Sequence, residues 1–490
     1  MDRLKKMKGM RGVAAGLVVA LLAVWGCSTN PATGRPQLAL ISEQQEIQIG
    51  RDYDQEIRKL LGVYPDPKLQ EYVERIGRKL AAGSERPDLA WTFRVVDDPV
   101  VNAFALPGGH VYVTRGLMTH LTSEAQLAAV LGHEIGHVTA RHAVTQLSKA
   151  RIARIGLIAG ALVSPALAGY AAHGLEVLFL RYSREDEQQA DGLGLRYMYA
   201  EGYDPREMPR VFEVLHRVSE GQGGQRIPEW QSTHPSEEER IRATSAAVSR
   251  LGNDFQGRTV NREGYLRSLD HVAFGQNPRE GYFLGSTFVQ PALAAELRFP
   301  EGWKTANGRS SVEAVAPKKD AVLVMTLSGE TSWRKAARDF FLHEGNENGE
   351  TLATDVNGQP GVVRTFGVSD TDAGDLQGVA GFIEYGGRVY QILGVTRAED
   401  WQRYQVALTA AVESFRPETD RRLLDVQPKR LEIVTLPAAM TLEEFSRRYP
   451  STVDLKTLAL INQADAATGF AAGDELKRVV GGELPEGAKL

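Results

Sequence analysis

Cysteine is almost absent from this sequence, because Cys27 is the only one among 490 residues. No disulfide can form within the chain, so a disulfide-stapled scaffold is excluded. An excess of positive charge is also missing: 57 basic residues face 62 acidic ones, and the net charge is −5. This balance gives no basis for nucleic-acid binding. The chain also lacks a helical repeat of the tetratricopeptide type, which excludes that kind of solenoid.

Long apolar runs are scarce, and the first lies at the N-terminus. Met1–Arg11 carries five basic residues and is followed by the uncharged run GVAAGLVVALLAVWG. That run is too short for a comfortable membrane span and is typical of a secretory signal. Residues 1–26 are therefore predicted to be a signal peptide, and the chain is predicted to be exported.

Cys27 follows this run and resembles a lipoprotein processing site, with the small Gly26 before it. We expect Cys27 to be lipidated and to hold the protein at a membrane, with residues 27–42 as a tether. Ser28 in the next position favours the outer membrane. The alternative interpretation is a buried or incidental thiol.

A second apolar run, IGLIAGALVSPALAGYAA, contains no charge over residues 155–172. Pro165 and three glycines interrupt it, which disfavours a continuous membrane helix. We predict a buried or membrane-facing helical hairpin there. Its exposed apolar surface can meet lipid, a partner subunit or an unfolded client.

The sequence HEIGH occupies residues 133–137. On a helix, histidines four residues apart lie on the same face one turn apart, so both imidazoles can reach one tetrahedral metal ion. Glu134 then stands beside a water molecule as general base. A helix is predicted because Ser123 and Gln126 resemble a capping box. Helical spacing of apolar residues continues through Leu127, Val130, Leu131, Ile135 and Val138.

A catalytic zinc needs a third protein ligand. His142 is nine residues beyond His133 and, on one continuous helix, lies on roughly the opposite face, so we interpret it as a polar or packing residue. Glu187 and Asp191 are better placed, four residues apart on a second predicted helix. Glu187 can bind the metal while Asp191 accepts the free N–H of a ligand histidine.

Glu185 and Asp186 remain competitors for the third ligand, and a solvated acidic helix face remains the structural alternative for the whole stretch.

The motifs HEIGH, SREDEQQAD and STHPSEEERI, in this order, resemble the gluzincin metallopeptidase family. This family includes the CAAX prenyl endopeptidases, HtpX and the periplasmic β-barrel assembly-enhancing protease. The resemblance covers roughly residues 30–250. It implies one zinc ion per chain, with His133, His137 and Glu187 as its ligands. It also implies that Glu134 is the general base and that Asp191 supports a ligand.

The resemblance also points to residues outside this set of ligands. His234 matches a residue that lies near the metal in relatives, and Arg240 follows it at the family's usual interval. His234 can occupy or gate the open metal position or help to hold the oxyanion, as Arg240 can, and a helix-start role for His234 is the alternative. Substrate-binding backbone groups are expected from Asn102, Ala103, Phe104 and Ala105, where a sheet edge can bind a peptide as an added strand. An ordinary hairpin is the alternative there.

The expected fold class is α+β and multidomain. A mostly helical gluzincin peptidase domain with a small sheet is expected first, followed by a linker, an α/β accessory domain that faintly resembles the PsbP and Mog-type sandwich, and a small LysM-like module. The predicted boundaries are 43–254, 255–290, 291–418 and 428–482. Glycan binding is the minority interpretation of the last module, and a structural cap is the alternative.

Together these features predict a zinc-dependent endopeptidase acting on polypeptides, with misfolded or stalled envelope proteins as the expected clients. It is expected to be lipid-anchored on the periplasmic side of the cell envelope. Two alternatives remain: a proteolytically weak chaperone or docking lipoprotein, and a cell-wall peptide hydrolase in contact with peptidoglycan.

Overall fold

The structure is a computed structural model that describes residues 27–156, 181–221, 234, 237–342, 346–369 and 374–490. The predicted signal peptide, most of the apolar segment 155–172 and the loop before His234 lie outside these ranges. The chain forms two compact units. Unit 1 comprises the described residues up to Phe274 together with Leu431–Val479, and unit 2 comprises Gly275–Arg430 and Val480–Leu490.

Unit 1 begins with a short hairpin, two long helices and a small sheet. The elements are β1 (Cys27–Thr29), β2 (Pro36–Leu38), α1 (Glu43–Leu61), α2 (Pro67–Ala82), β3 (Thr92–Val96), β4 (Ala103–Leu106), β5 (His110–Thr114) and α3 (Arg115–His120). Ser42 caps α1 with a capping box, and Asp66 caps α2 ahead of Pro67. The sheet has the order β3-β5-β4, with β4 antiparallel to β5. Strand β4 is therefore an edge strand of this sheet.

The HEIGH motif lies on the next helix, which crosses a second helix closely. The elements are α4 (Glu124–Thr139), α5 (His142–Gly156), α6 (Arg184–Ala200), α7 (Glu207–Gly221), α8 (Glu237–Arg250) and α9 (Arg262–Ser268). A Cβ atom on Gly194 of α6 would lie 2.7 Å from the backbone nitrogen of His133 on α4. Only glycine permits this approach, which brings the two helix backbones together at the HEIGH motif.

Helix α4 does not continue to His142. It ends at Thr139, and Arg141 adopts a left-handed backbone conformation with φ of 60° before α5 begins. The prediction that His142 lies on the opposite face of one continuous helix is therefore wrong. The reversal is held by the Arg141 guanidinium, whose Nε donates to the buried Glu46 at 2.7 Å.

Among the described helices, none combines the length and apolar character needed to cross a membrane.

Unit 2 is built around two antiparallel sheets. The elements are β6 (Tyr282–Leu284), β7 (Thr287–Gln290), β8 (Ala295–Arg298), β9 (Lys304–Asn307), β10 (Ser311–Val315), β11 (Ala321–Leu327), α10 (Trp333–Phe341), β12 (Asn346–Val356), β13 (Gln359–Val368), β14 (Leu376–Tyr385), β15 (Arg388–Arg397), α11 (Trp401–Glu413), β16 (Arg416–Pro417) and α12 (Arg421–Leu424), with β21 (Ala488–Lys489) at the end of the described chain. The larger sheet has seven strands in the order β12-β13-β14-β15-β11-β10-β9, and the smaller has five in the order β16-β8-β7-β6-β21. Part of this unit lies where a linker over 255–290 is expected.

The expected linker differs from the structure because its apolar residues are buried. Tyr265 and Leu266 of α9 are fully buried within unit 1, while β6 and β7 belong to unit 2. Glycine and polar residues dominate the stretch, but its aromatic residues supply core contacts. Composition alone therefore underestimates how many residues of such a segment are buried in a core.

Residues 431–479 return to unit 1. This part of the chain contains β17 (Arg430–Thr435), β18 (Met440–Thr441), α13 (Leu442–Arg448), α14 (Leu455–Asn462), β19 (Gly469–Phe470) and β20 (Glu475–Val480), with β17 paired to β20. Leu442, Phe445 and Leu458 belong to the same hydrophobic core as the HEIGH helix. The predicted α+β class is confirmed, while the LysM-like resemblance stays a prediction.

Candidate metal centre

Four side chains converge at the crossing of α4 and α6. His133, His137, Glu187 and His234 each offer one ligand atom, and these atoms all lie within 4.8 Å of one another. The His133 Nε2 and His137 Nε2 atoms are 3.0 Å apart, and the Glu187 carboxylate oxygens lie 3.5 Å and 3.6 Å from them. Each of the four residues is at most 2% exposed. The three ligands predicted from the sequence are thus brought together.

The competitors for the third ligand are not part of this group. Glu185 is exposed on α6. Asp186 closes the capping box at the start of that helix, where its carboxylate accepts the Ser183 N–H at 3.0 Å. Glu187, one residue further along, is the carboxylate that the helix turns toward the two histidines.

His234 joins this group as a fourth donor. Its Nδ1 lies 2.9 Å from Glu187 Oε1 and 3.4 Å from His133 Nε2, and its Nε2 lies 3.9 Å from Glu134 Oε1. The family resemblance implies a position near the metal site for this histidine, and the structure groups it with the three expected ligands. Whether it gates the site or holds an oxyanion stays a prediction.

Glu134 has the surroundings of a proton acceptor. It is 1% exposed, and its Oε1 has no hydrogen-bond partner among the described residues. Burial, aided by the nearby Glu187 and opposed by His234 and Arg240, raises the pKa of Glu134 to about 7. A carboxylate of this kind can exchange a proton near neutral pH.

The donor set fits zinc. Two imidazole nitrogens and one carboxylate oxygen are the protein ligands of many catalytic zinc sites. Glu134 Oε1 is buried and accepts no hydrogen bond from the described residues. Buried acceptors of this kind call for a further partner. A divalent cation with its solvent satisfies such atoms.

Asp191 and Arg240 form the outer support of this group. Asp191 Oδ1 lies 2.8 Å from His133 Nδ1, and Arg240 binds both oxygens of Asp191 at 2.9 Å and 2.6 Å. Burial raises the pKa of Asp191, but the Arg240 charge and the hydrogen bonds outweigh it and lower that pKa to about 2. Arg240 Nη1 also lies 3.0 Å from Glu187 Oε2. Arg240 therefore holds two carboxylates in place, and a direct catalytic role for it stays a prediction.

Both ligand histidines are held neutral. Burial lowers the pKa of His133 to about 4, and Arg240 adds to this, while Asp191 opposes it. Burial and the neighbouring cationic groups also lower the pKa of His137 well below its usual value. Metal binding requires the neutral imidazole, so the site is prepared for a cation at neutral pH.

Three residues on the outer side of His137 were not predicted to belong to the site. The Tyr182 ring stacks on the His137 ring with centroids 4.1 Å apart, and His142 Nδ1 lies 2.9 Å from His137 Nδ1. Gln189 Oε1 lies 3.1 Å from His142 Nε2. Predicting the place of His142 beside His137 would have required a signal for the chain reversal at Arg141. The spacing of residues in the sequence does not indicate Tyr182 or Gln189.

The predicted substrate-binding stretch lies beside the metal centre. Strand β4 contacts α4, and Ala105 lines a small cavity together with His137 and Tyr182. Ala103 is buried and Phe104 stacks on Tyr112, with centroids 4.9 Å apart. Asn102 is 7% exposed, and its Oδ1 has no hydrogen-bond partner among the described residues.

Cys27 lies at the start of β1, where its backbone pairs with Leu38. Strand β1 is the first element that the structure describes. The lipidation of Cys27 stays a prediction.

Known proteins resemble parts of this chain. The mitochondrial metalloendopeptidase OMA1 of Arabidopsis thaliana is 34% identical over 212 residues, which make up 42% of this chain and 42% of that protein. The β-barrel assembly-enhancing protease of Escherichia coli (strain K12) is 30% identical over 225 residues, 44% of this chain and 46% of that protein. The chain thus spans less than half the length of these relatives.

A solved structure, the cyanobacterial PsbP from Synechocystis sp. PCC 6803, covers 28% of this chain and 94% of its own, with a TM-score of 0.23 and 15% identity. The resemblance of residues 291–418 to the PsbP and Mog-type sandwich stays a prediction.

Residues 67–248 match peptidase family M48. This range includes the HEIGH helix, the carboxylate helix α6 and Arg240. The match agrees with the relatives named above and confirms the gluzincin resemblance drawn from the motifs. Residues 67–248 therefore form a domain that matches the metallopeptidases of family M48.

Proposed function

We propose that this chain is a zinc-dependent endopeptidase that cleaves polypeptides in the quality control of envelope proteins. The observation that carries the proposal is the convergence of His133, His137 and Glu187 beside Glu134, whose buried Oε1 lacks a hydrogen-bond partner among the described residues. A bound zinc ion supplies a Lewis acid that polarises a peptide carbonyl and makes water nucleophilic at neutral pH.

The residues of the chain supply the remaining steps. Glu134 takes a proton from the attacking water and passes it to the nitrogen of the leaving amine. His133, His137 and Glu187 hold the ion, while Asp191 and Arg240 fix two of these ligands. The burial of all these groups excludes bulk water and strengthens their electrostatic interactions.

We propose that the substrate binds as an added strand along β4. Strand β4 is an edge strand of the described sheet, with β5 as its neighbour on one side. Ala105 of this strand lines the cavity beside His137. Asn102 Oδ1 offers a further acceptor for a substrate N–H. Recognition through backbone groups suits unfolded polypeptides, because it does not require one particular side-chain sequence.

The location is proposed from the leader and from the relatives. The basic and apolar leader, Gly26 and Cys27 favour export and lipidation on the periplasmic side, with the outer membrane favoured. One relative is named as a β-barrel assembly-enhancing protease, which favours envelope polypeptides as substrates. Peptidoglycan contact through residues 428–482 remains the minority proposal.

Glu134→Gln tests the proposal. This change keeps the volume of the side chain and removes the general base, so we expect turnover of an unfolded outer-membrane protein to fall by about 10²–10⁴-fold. Cleavage is followed by mass spectrometry of the products, and zinc content is measured in the same samples. Glu213→Gln, an exposed change on α7, is the matched control. Unchanged cleavage by Glu134→Gln at full zinc occupancy would refute the proposal.

His234 favours the second candidate, a proteolytically weak chaperone or docking lipoprotein. Its Nδ1 completes a set of four protein donors, and closed sets are typical of structural zinc sites. His234→Ala distinguishes the two candidates. A rise in turnover in this variant indicates an enzyme whose site is gated by His234. If the wild type and His234→Ala both bind client polypeptides without cleaving them, the chaperone is supported.

A further inference from the structure

The two histidines of the HEIGH motif are supported on their outer sides by different groups. His133 Nδ1 lies 2.8 Å from the carboxylate of Asp191. His137 Nδ1 lies 2.9 Å from Nδ1 of a third histidine, His142, and the two rings are nearly perpendicular at 76°. A ligand histidine generally donates its second N–H to an acceptor that fixes its tautomer. His142 lies where His137 needs such an acceptor.

The chain reversal after α4 creates this contact. Nε of Arg141 donates to Glu46 at 2.7 Å, and its Nη2 donates to the Ile41 carbonyl at 3.0 Å. Arg86 binds the other Glu46 oxygen at 2.7 Å and the Val138 carbonyl at 3.0 Å. Ion pairs and backbone contacts therefore fix the last turn of the HEIGH helix and the start of α5.

One arrangement of protons satisfies all these contacts. His137 Nε2 faces the other donors, so its proton resides on Nδ1 and is donated to His142 Nδ1. His142 is then neutral with its own proton on Nε2, which donates to Gln189 Oε1 at 3.1 Å. Asp186 Oδ1 lies 3.7 Å from the same Nε2, beyond hydrogen-bond distance. The Gln189 amide is oriented by its Nε2, which faces Asn30 Oδ1 at 3.5 Å.

A neutral acceptor suits this position. Glu134, Glu187 and Asp191 already place three carboxylates around one guanidinium, that of Arg240. A fourth carboxylate buried against a metal ligand would add charge that a single divalent ion leaves unbalanced, and burying an unbalanced charge is costly. The His142 imidazole, 2% exposed, accepts the hydrogen bond without adding charge.

We infer that His142 is a positioning residue for the metal ligand His137, acting as the neutral acceptor of its Nδ1–H and relaying this support to Gln189 on α6. The inference rests on the proposed metal site. It gives three residues of α6 related roles at one centre. Glu187 binds the metal, Asp191 supports His133, and Gln189 supports His137 through His142.

The test measures zinc affinity rather than proteolysis. In the purified full chain, competition with a chelating dye gives the zinc dissociation constant of wild type, His142→Phe and His142→Asn. We expect His142→Phe, which removes both ring nitrogens, to weaken zinc binding about 10–100-fold. His142→Asn keeps an acceptor near the Nδ1 position, so we expect it to recover most of this loss. His216→Asn, on the partly exposed side of α7, is the control.

A spectroscopic measurement distinguishes positioning from packing. In the zinc-loaded wild-type protein labelled with ¹⁵N-histidine, we expect scalar coupling across the hydrogen bond between the Nδ1 atoms of His137 and His142. This measurement remains informative even when His142→Phe fails to fold. Zinc affinity unchanged in a folded His142→Phe, or a proton on His142 Nδ1 in the wild type, overturns the inference. A wild-type protein that binds zinc but cleaves nothing refutes only the proposed function, while one that binds no zinc overturns both.

Discussion

Two buried polar clusters in unit 1 differ in how their charges are balanced. In the metal centre, Glu134, Glu187 and Asp191 surround Arg240. With all groups ionised, the three carboxylates outnumber the one guanidinium, and the buried Glu134 Oε1 lacks a hydrogen-bond partner among the described residues. This cluster is incomplete without a cation.

The second cluster, which we call the carbonyl clamp, consists of Lys477 and the backbone carbonyls of Thr119 and Leu121. Lys477 is fully buried, and its Nζ donates to these two oxygens at 2.7 Å and 2.8 Å. Burial lowers the pKa of Lys477 well below its usual value. The carbonyls at the end of α3 are thereby satisfied by a residue from β20. The clamp is complete as it stands, which indicates a structural role.

The first prediction concerns the metal centre alone. Glu187→Gln removes the anionic ligand and leaves Arg240 beside an uncharged amide, so we expect zinc affinity to fall by more than ~100-fold, the upper end of effects seen for outer support residues. Competition with a chelating dye measures the change. Glu185→Gln, an exposed substitution on the same helix, is expected to leave zinc affinity unchanged. A loss of less than about threefold in Glu187→Gln would contradict the assignment of this ligand.

The second prediction tests charge balance in the metal centre. Arg240→Leu removes the partner of two buried carboxylates, and breaking a buried ion pair from one side costs about 3–5 kcal/mol of unfolding free energy. Urea unfolding in the presence of a chelator measures this loss. Zinc replaces part of the missing positive charge, so we expect a smaller loss in the zinc-loaded protein. Arg242→Leu, exposed on the same helix, is the control, and an equal loss with and without zinc would count against the charge argument.

The sequence predicts the expected ligands of the metal centre well, but it predicts the residues that support these ligands poorly. HEIGH, Glu187 and Asp191 follow from helical spacing, because residues four apart share a helix face. The same rule fails for His142, since it assumes one continuous helix where α4 ends at Thr139. A left-handed residue such as Arg141 has no reliable signal in a sequence that lacks glycine there.

The carbonyl clamp shows what local patterns miss in the fold. Helix α14 and strand β20 lie within the module predicted at residues 428–482, where caps and apolar spacing are local signals. The contact of Lys477 with Thr119 joins residues 358 positions apart in the chain, and no local signal indicates it. Gln126 illustrates the same point, because its amide pairs with that of Gln463 at 2.8 Å.

The third prediction concerns the clamp. Lys477→Met keeps the length of the side chain but leaves the Thr119 and Leu121 carbonyls without their donor, so we expect a loss of about 1–3 kcal/mol in unfolding free energy. Zinc affinity should not change. Lys456→Met, exposed on α14, is the control for urea unfolding. A change in zinc affinity would show that the two clusters are coupled and would contradict the separation of their roles.

The last prediction concerns the pH dependence of stability at the end of α3, where His120 lies between the two residues whose carbonyls form the clamp. His120 is buried at the end of α3, its Nδ1 lies 2.7 Å from the Gly116 carbonyl, and burial lowers its pKa to about 4. The unfolded chain therefore binds more protons than the folded one between about pH 6.5 and about pH 4, and stability falls as the pH drops through this window.

Between about pH 7 and pH 6 this group alone is expected to account for about 0.7 kcal/mol of lost unfolding free energy. His120→Asn keeps a donor for the Gly116 carbonyl and cannot titrate, so its stability should depend less on pH by that amount. Urea unfolding at the two pH values measures the difference between variant and wild type. His133 and His137 are present in both proteins, so their contribution cancels and the difference isolates His120. Parallel pH profiles would show that the clamp end of α3 opens to solvent before the imidazole is protonated.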